Sequence, residues 1–158
     1  MRRLAVLLPL AAALAFHPAR AQSRPESAAF VVRLGVDTVS VERFTRTAAR
    51  LEGEIVGRSP RTSLRRYVAD FSPAGGLTRF EVTTLRVGAP ADAPPLQRAV
   101  AVVGADSIRV EVRRGDSVTT SAIAAAAGLL PTMSNVFGPD ERMAVRARAA
   151  NRDSVALA

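Results

Sequence analysis

The chain has 158 residues with a formal net charge of +8 at pH 7, all 22 of its basic residues are Arg, and it contains no Cys. The absence of Cys excludes disulfides, cysteine nucleophiles and lipid attachment through Cys, so the fold depends on its apolar core. The absence of Lys excludes Schiff-base chemistry, and an aromatic content of 4% with no recognised motif argues against nucleic acid as a partner.

The N-terminus has the three parts of a secretory signal peptide. Two Arg follow Met1, residues 4–16 are apolar, and Ala19-Arg20-Ala21 is a small-residue cleavage motif. The alternative, a retained anchor, is disfavoured because the apolar run is shorter than the roughly 20 residues that span a bilayer. We expect a signal peptide over residues 1–21 and a periplasmic or secreted mature chain.

The only His is His17, which would leave with the signal peptide. Without His, Cys or Lys, the mature chain lacks the residues of Ser-His-Asp and Cys-His catalysis and of ordinary zinc, copper and haem sites. We therefore expect a protein that is not an enzyme and has no catalytic residue, cofactor or metal ion.

Beyond a frayed segment at residues 22–28, period-2 alternation between Gly, Pro and Asp turns predicts eight strands. They are residues 30–34, 38–47, 51–56, 64–71, 77–87, 98–103, 107–113 and 117–123. In the second strand Val39 and Val41 lie on one face and Ser40 and Glu42 on the other. Phe44 then falls on the face of Glu42, and a bulge near Glu42-Arg43 would explain this slip.

A helix is predicted at Pro139–Asn151, because Pro suits the first turn and Asp140 and Glu141 complement the helix dipole there. The fold class is mainly β: a curved antiparallel sheet or partial barrel with one C-terminal helix, forming a single domain over residues 22–158. The short apolar segment of residues 154–158 follows a turn signal, so we expect a chain truncated at its C-terminus.

Two groups of charged residues are candidate functional sites. Glu52 and Glu54 share one strand face, which is compatible with acid–base work or Ca²⁺ binding; the simpler interpretation is solvent exposure and pairing with Arg43 or Arg65 on neighbouring strands. Seven Arg lie between residues 43 and 66, and they either grip phosphate or carboxylate groups or form a solvated sheet face.

The candidate ligand-binding residues are Arg43, Arg65, Tyr67, Phe71 and Phe80. Tyr67 and Phe71 share a face of the fourth strand, and Phe80 lies on the fifth strand. The aromatic residues would line an apolar hollow, or simply belong to the core. The two Arg would meet an anionic head group at its rim.

The segments 34–46, 51–54 and 61–71 resemble uncharacterised exported β-rich bacterial proteins, a likeness that brings no activity. In architecture alone, strands followed by a helix are similar to the half-barrels of periplasmic lipoprotein carriers. The leading function is a periplasmic, non-enzymatic carrier of an apolar or amphiphilic ligand such as lipid. The alternative is a structural or interaction module of the cell envelope with a protein partner. An apolar hollow would favour the carrier, and a fully packed core would favour the module.

Overall fold

The computed structural model describes residues 24–58, 61–90, 92–125 and 136–151. The predicted signal peptide and the C-terminal segment of residues 154–158 lie outside the described residues. No helix within the described ranges is long and apolar enough to cross a membrane.

The described chain forms one antiparallel sheet and one helix, which confirms the mainly β fold class. Each strand pairs with its neighbour in sequence, so the sheet is a meander. Its elements are β1 (Glu26–Leu34), β2 (Asp37–Arg46), β3 (Arg50–Gly57), β4 (Ser63–Phe71), β5 (Leu77–Leu85), β6 (Gln97–Val103), β7 (Ser107–Arg114), β8 (Ser117–Ala124) and α1 (Gly138–Ala149). Among the described strands the sheet is open and uncurled with β1 and β8 at its edges, so it is not a partial barrel.

Two of the hairpins are closed by two-residue loops that begin with Gly. Leu34 pairs with Asp37 and Arg114 pairs with Ser117, and between them Gly35 and Gly115 have φ of 62° and 54°. A positive φ at the first loop position alone is the pattern of a type II′ turn, whose twist suits a hairpin. The Gly-Val-Asp and Gly-Asp sequences therefore fix the register of β1–β2 and β7–β8.

Strand β1 begins earlier than predicted. Residues 26–28 are paired with β2 rather than frayed, with Glu26 opposite Arg46. The carboxylate of Glu26 lies 2.8 Å from the Arg46 guanidinium. Residues 26–28, which their polar surroundings predicted to be frayed, are therefore ordered by strand pairing and by this ion pair.

The bulge predicted near Glu42-Arg43 is not found in β2. Ser40, Glu42 and Phe44 form the buried face, and β2 pairs with β3 without interruption from Ser40 to Arg46. The register shift lies in the β1–β2 ladder, between Val32 and Arg33 of β1. The alternation therefore never slips at residue 42, and a glutamate occupies a core position.

The core lies between α1 and the face of β2–β5 that it covers. Its buried members are Phe44, Leu51, Ile55, Tyr67, Ala69, Phe71, Leu77 and Val136, with Phe30, Phe80, Val82, Val103 and Met143 packed against them. This places Tyr67, Ala69 and Phe71 on one buried face, as the alternation of β4 predicted.

Arg142 fastens α1 to the β2–β3 hairpin. Its guanidinium lies 3.5 Å from the centroid of the Phe71 ring and donates hydrogen bonds to the carbonyl oxygens of Thr47 and Ala48, at 3.2 and 2.9 Å. Burial is the main cause that lowers the pKa of Arg142 below its usual range. The ring face and the two carbonyl oxygens offset part of that desolvation.

The opposite, polar face of the sheet carries ion pairs both within a strand and between neighbouring strands. The Glu81 carboxylate lies 2.6 Å from Arg98 and 2.5 Å from Arg79. Hydrogen bonding to Arg98, and then to Arg79, lowers the pKa of Glu81 although its burial opposes this. The stabilisation is therefore present above the ordinary glutamate pKa of about 4.3, and is lost as the pH falls through the lowered folded-state value.

We expect Glu81→Gln to lower the free energy of unfolding by about 1 kcal/mol at pH 7, because it removes the charge shared by two Arg. The difference from the parent chain should shrink as the pH falls through the lowered folded-state pKa of Glu81, because the carboxyl group is then protonated in both the folded and unfolded states. Urea titrations at several pH values measure it. Glu111→Gln, at an exposed residue without an ion pair among the described residues, is the control; an equal pH dependence for both variants would contradict the prediction.

Candidate functional site

The five candidate ligand-binding residues lie on both faces of the sheet. Tyr67 and Phe71 are buried in the core and Phe80 packs against it. Arg65 lies opposite Ile55 on the same face, whereas Arg43 points from the exposed polar face. The structure thus brings the three aromatic residues together beneath α1 and separates them from Arg43 by the thickness of the sheet.

The carboxylates of Glu52 and Glu54 face solvent and pair with Arg, as the simpler interpretation predicted. Glu54 accepts a hydrogen bond from Arg66 at 2.8 Å, and Glu52 accepts one from Arg50 at 3.0 Å. The partners are these two residues rather than Arg43 or Arg65. Both acids are therefore neutralised by neighbouring guanidinium groups.

The most unusual polar group in the described chain is Glu42, whose side chain is 1% exposed. Its Oε1 accepts from the Tyr67 hydroxyl at 2.6 Å and from the Gly138 N–H at 3.0 Å, and its Oε2 accepts from the Phe137 N–H at 2.6 Å. Three donors and no acceptor converge on two oxygens, which is the environment that suits an ionised carboxyl group.

Glu42, which lies in β2, caps the N-terminus of α1. The N-cap residue of α1 is Phe137, which has no side-chain acceptor for the free N–H groups at the helix start. The carboxylate from β2 takes that role, and its negative charge also complements the positive end of the helix dipole. One side chain therefore satisfies the helix terminus and fixes α1 over the sheet.

The surroundings of Glu42 leave no room for a ligand. Burial, reinforced by the hydrogen bond to Glu42, raises the pKa of Tyr67, so its hydroxyl stays protonated and donates. A Cβ on Gly138 would collide with the Tyr67 hydroxyl and lie 3.1 Å from Oε1 of Glu42. Burial and the charge of Glu42 also raise the pKa of Asp140. The cluster is thus a buried structural contact, which the sequence signals through the placement of Glu42 on the same strand face as Phe44.

Two open grooves flank the core. The larger, of about 760 Å³, crosses β1–β4 on the polar face, with Arg43, Glu54 and Arg66 among its lining residues. Arg43 has no ion-pair partner within the described part of the chain. Its guanidinium is the feature of this groove that is free to meet an anion.

The second groove, of about 550 Å³, runs between α1 and the Ala74-Gly75 turn. Its cationic side chains are engaged: Arg46 lies 2.5 Å from Glu141 and 2.8 Å from Glu26, and Arg142 is held as described above. The half-exposed Val145 supplies an apolar surface beside them. Of these two grooves, this one places an apolar side chain next to cationic groups.

The sheet extends beyond α1. On the face that α1 covers elsewhere, Ile108 is buried, Val110 and Val112 are half-buried, and Ile123 is 55% exposed. Every residue of β8 is exposed. The described residues therefore leave an apolar surface over β6–β8, which we call the uncovered end of the sheet.

Among the described residues, no cluster of three or more His, Cys, Asp or Glu side chains is arranged to hold a metal ion. No protein-family model, no curated protein and no solved structure matches the chain. Function must be argued from the surfaces just described.

Proposed function

We propose that the chain is a non-enzymatic interaction module of the cell envelope that binds a protein partner through the uncovered end of its sheet. The observation that carries this proposal is the uneven covering of one sheet face. Over β2–β5 that face carries the packed core beneath α1, whereas at β7–β8 the described residues leave Val110 and Val112 half-buried and Ile123 exposed. The envelope location rests on the predicted signal peptide.

The packed half of the sheet weighs against the carrier. A carrier needs a hollow, but Tyr67 and Phe71 are at most 6% exposed, and Phe80 packs against them. Exposed apolar surface rimmed by polar residues is typical of a protein–protein contact.

A photo-crosslinking residue placed at Ile123 tests the proposal in cells that express the full chain. We expect a discrete crosslink to one envelope protein from Ile123, and none from Val31 of β1, which is 54% exposed and serves as the matched control. With the identified partner purified, Ile123→Asp should weaken binding at least about tenfold, since it puts a charge into an apolar contact. Equal crosslinking from both positions, or none, would contradict the proposal.

Titration with fatty acids of increasing length separates the module from the carrier. Binding at the groove between α1 and the Ala74-Gly75 turn would strengthen by about 0.8 kcal/mol per CH₂ buried. The interaction module predicts no such dependence. A strong dependence on chain length, lost in the variant Val145→Asp, would favour the carrier instead.

A further inference from the structure

Among the described residues, the β8 edge lacks the usual devices that prevent a strand from pairing with another chain. Its sequence from Ser117 to Ala124 contains no charged residue and no Pro, and all of its residues are exposed. Its ladder with β7 is regular from Ser107–Ala124 to Arg114–Ser117, without a bulge. Edge strands are normally guarded by charges, Pro, bulges or a covering element.

The β1 edge is guarded by charged residues and by an irregular ladder. It carries Glu26, which is tied to Arg46, and Arg33. Its ladder with β2 is interrupted by a register shift between Val32 and Arg33. The two edges of one sheet therefore differ, and only β8 offers a regular, neutral row of backbone donors and acceptors.

We propose that a second copy of this chain pairs with β8, strand to antiparallel strand, about a two-fold axis normal to the sheet. The proposal goes beyond the interaction module, because pairing at the β8 edge leaves the face of the uncovered end accessible to a different protein. Pairing β8 with β8 uses the same surface twice and closes as a dimer, whereas pairing β8 with β1 would grow an open filament. The charges and the register shift of β1 oppose that second arrangement.

The side chains of β8 suit pairing with themselves. Residues directly opposite each other in an antiparallel pair share a face. The two-fold axis must therefore lie between one residue and its own copy on the second strand. Near the strand centre that residue is Thr120 or Ser121. Either choice places Ile123 of both copies on one face and makes their uncovered ends continuous. The nearest charged strand, β7, would be three strand spacings from its symmetry mate, about 14 Å, beyond the screening length of about 8 Å.

The absence of Cys from the chain allows a clean crosslinking test. In sedimentation or light-scattering measurements the purified chain should have twice the monomer mass. Of Thr120→Cys and Ser121→Cys, the one on the axis should form an intermolecular disulfide on mild oxidation. Ala29→Cys, equally exposed on β1, should remain reduced.

Ser121→Lys should convert the dimer to a monomer, because two like charges would then face each other near the axis. Ala29→Lys should leave the dimer intact, and circular dichroism should show both variants folded. A monomeric parent chain at about 100 µM, where even weak pairs associate, would overturn the inference. So would a dimer that persists in Ser121→Lys, or a mass that grows without limit with concentration.

The two proposals fail separately. A monomeric chain that still crosslinks to a different protein from Ile123 would retain the interaction module and overturn self-pairing. A crosslink from Ile123 whose only product is the chain's own dimer, together with the oxidised disulfide, supports self-pairing and contradicts a different protein as the partner of the uncovered end.

Discussion

Glu42→Ala is expected to lower the free energy of unfolding by about 4 kcal/mol, a large part of the 5–15 kcal/mol typical of a folded domain. The change removes the shared acceptor of the Tyr67 hydroxyl and of the N–H groups of Phe137 and Gly138. Each buried donor left without a partner costs about 1–3 kcal/mol. Relief of the carboxylate's own desolvation returns part of that sum, which is why the full total of three donors is not expected.

The loss should be visible as release of α1 as well as in overall stability. Hydrogen exchange at the amides of Phe137 and Gly138 should accelerate before that of β3 and β4, because Glu42 holds the start of the helix. Chemical denaturation gives the total change. Tyr67→Phe, which keeps the ring but removes one donor, should cost about 2 kcal/mol.

Arg43→Ala is the matched control for Glu42→Ala. Arg43 is the next residue on β2, is exposed on the opposite face, and should cost no more than about 0.5 kcal/mol when truncated. Equal effects at residues 42 and 43 would contradict the burial of Glu42 against the start of α1.

The elements of the fold could be read from local sequence because local rules determine them. Turns such as Gly35-Val36 and Gly115-Asp116 separate segments with the two-residue period of a strand, and all eight predicted strands are present. A meander needs no further information, since each strand pairs with the next. Pro139 with two acids similarly identified α1, which the structure begins one residue earlier, at Gly138.

The site could not be read in the same way, because it depends on contacts between distant residues. Glu42 meets Tyr67 and Phe137, which lie 25 and 95 positions away in the chain, and nothing near residue 42 specifies those partners. The degree to which a side chain is buried cannot be predicted from local sequence either. The alternation of β7 gave the correct facing for Val110, but its half-burial follows from where α1 docks.

Gly53→Ala is expected to lower the free energy of unfolding by about 3 kcal/mol. Gly53 lies in the middle of β3, between Phe44 of β2 and Tyr67 of β4. The Tyr67 ring rests directly on it: a Cβ at residue 53 would lie 2.5 Å from Cζ and the hydroxyl oxygen, and 2.7 Å from Cε1. Overpacking of a close-packed core typically costs about 1–3 kcal/mol. The upper end applies here, because a displaced ring also loses its hydrogen bond to Glu42.

Gly57→Ala, on the same strand, separates this clash from the general effect of Gly in a sheet. The nearest atom to its added Cβ is the Ser63 hydroxyl oxygen at 3.9 Å, so Ala fits and should be neutral or stabilising by about 0.5 kcal/mol. Tyr67→Leu should relieve the clash, so that adding Gly53→Ala to that variant costs less than about 1 kcal/mol, as measured in a double-mutant cycle by chemical denaturation. If Ala is tolerated equally at 53 and 57 in the parent chain, the Tyr67 ring does not lie on Gly53, and the route by which Tyr67 reaches Glu42 must be different.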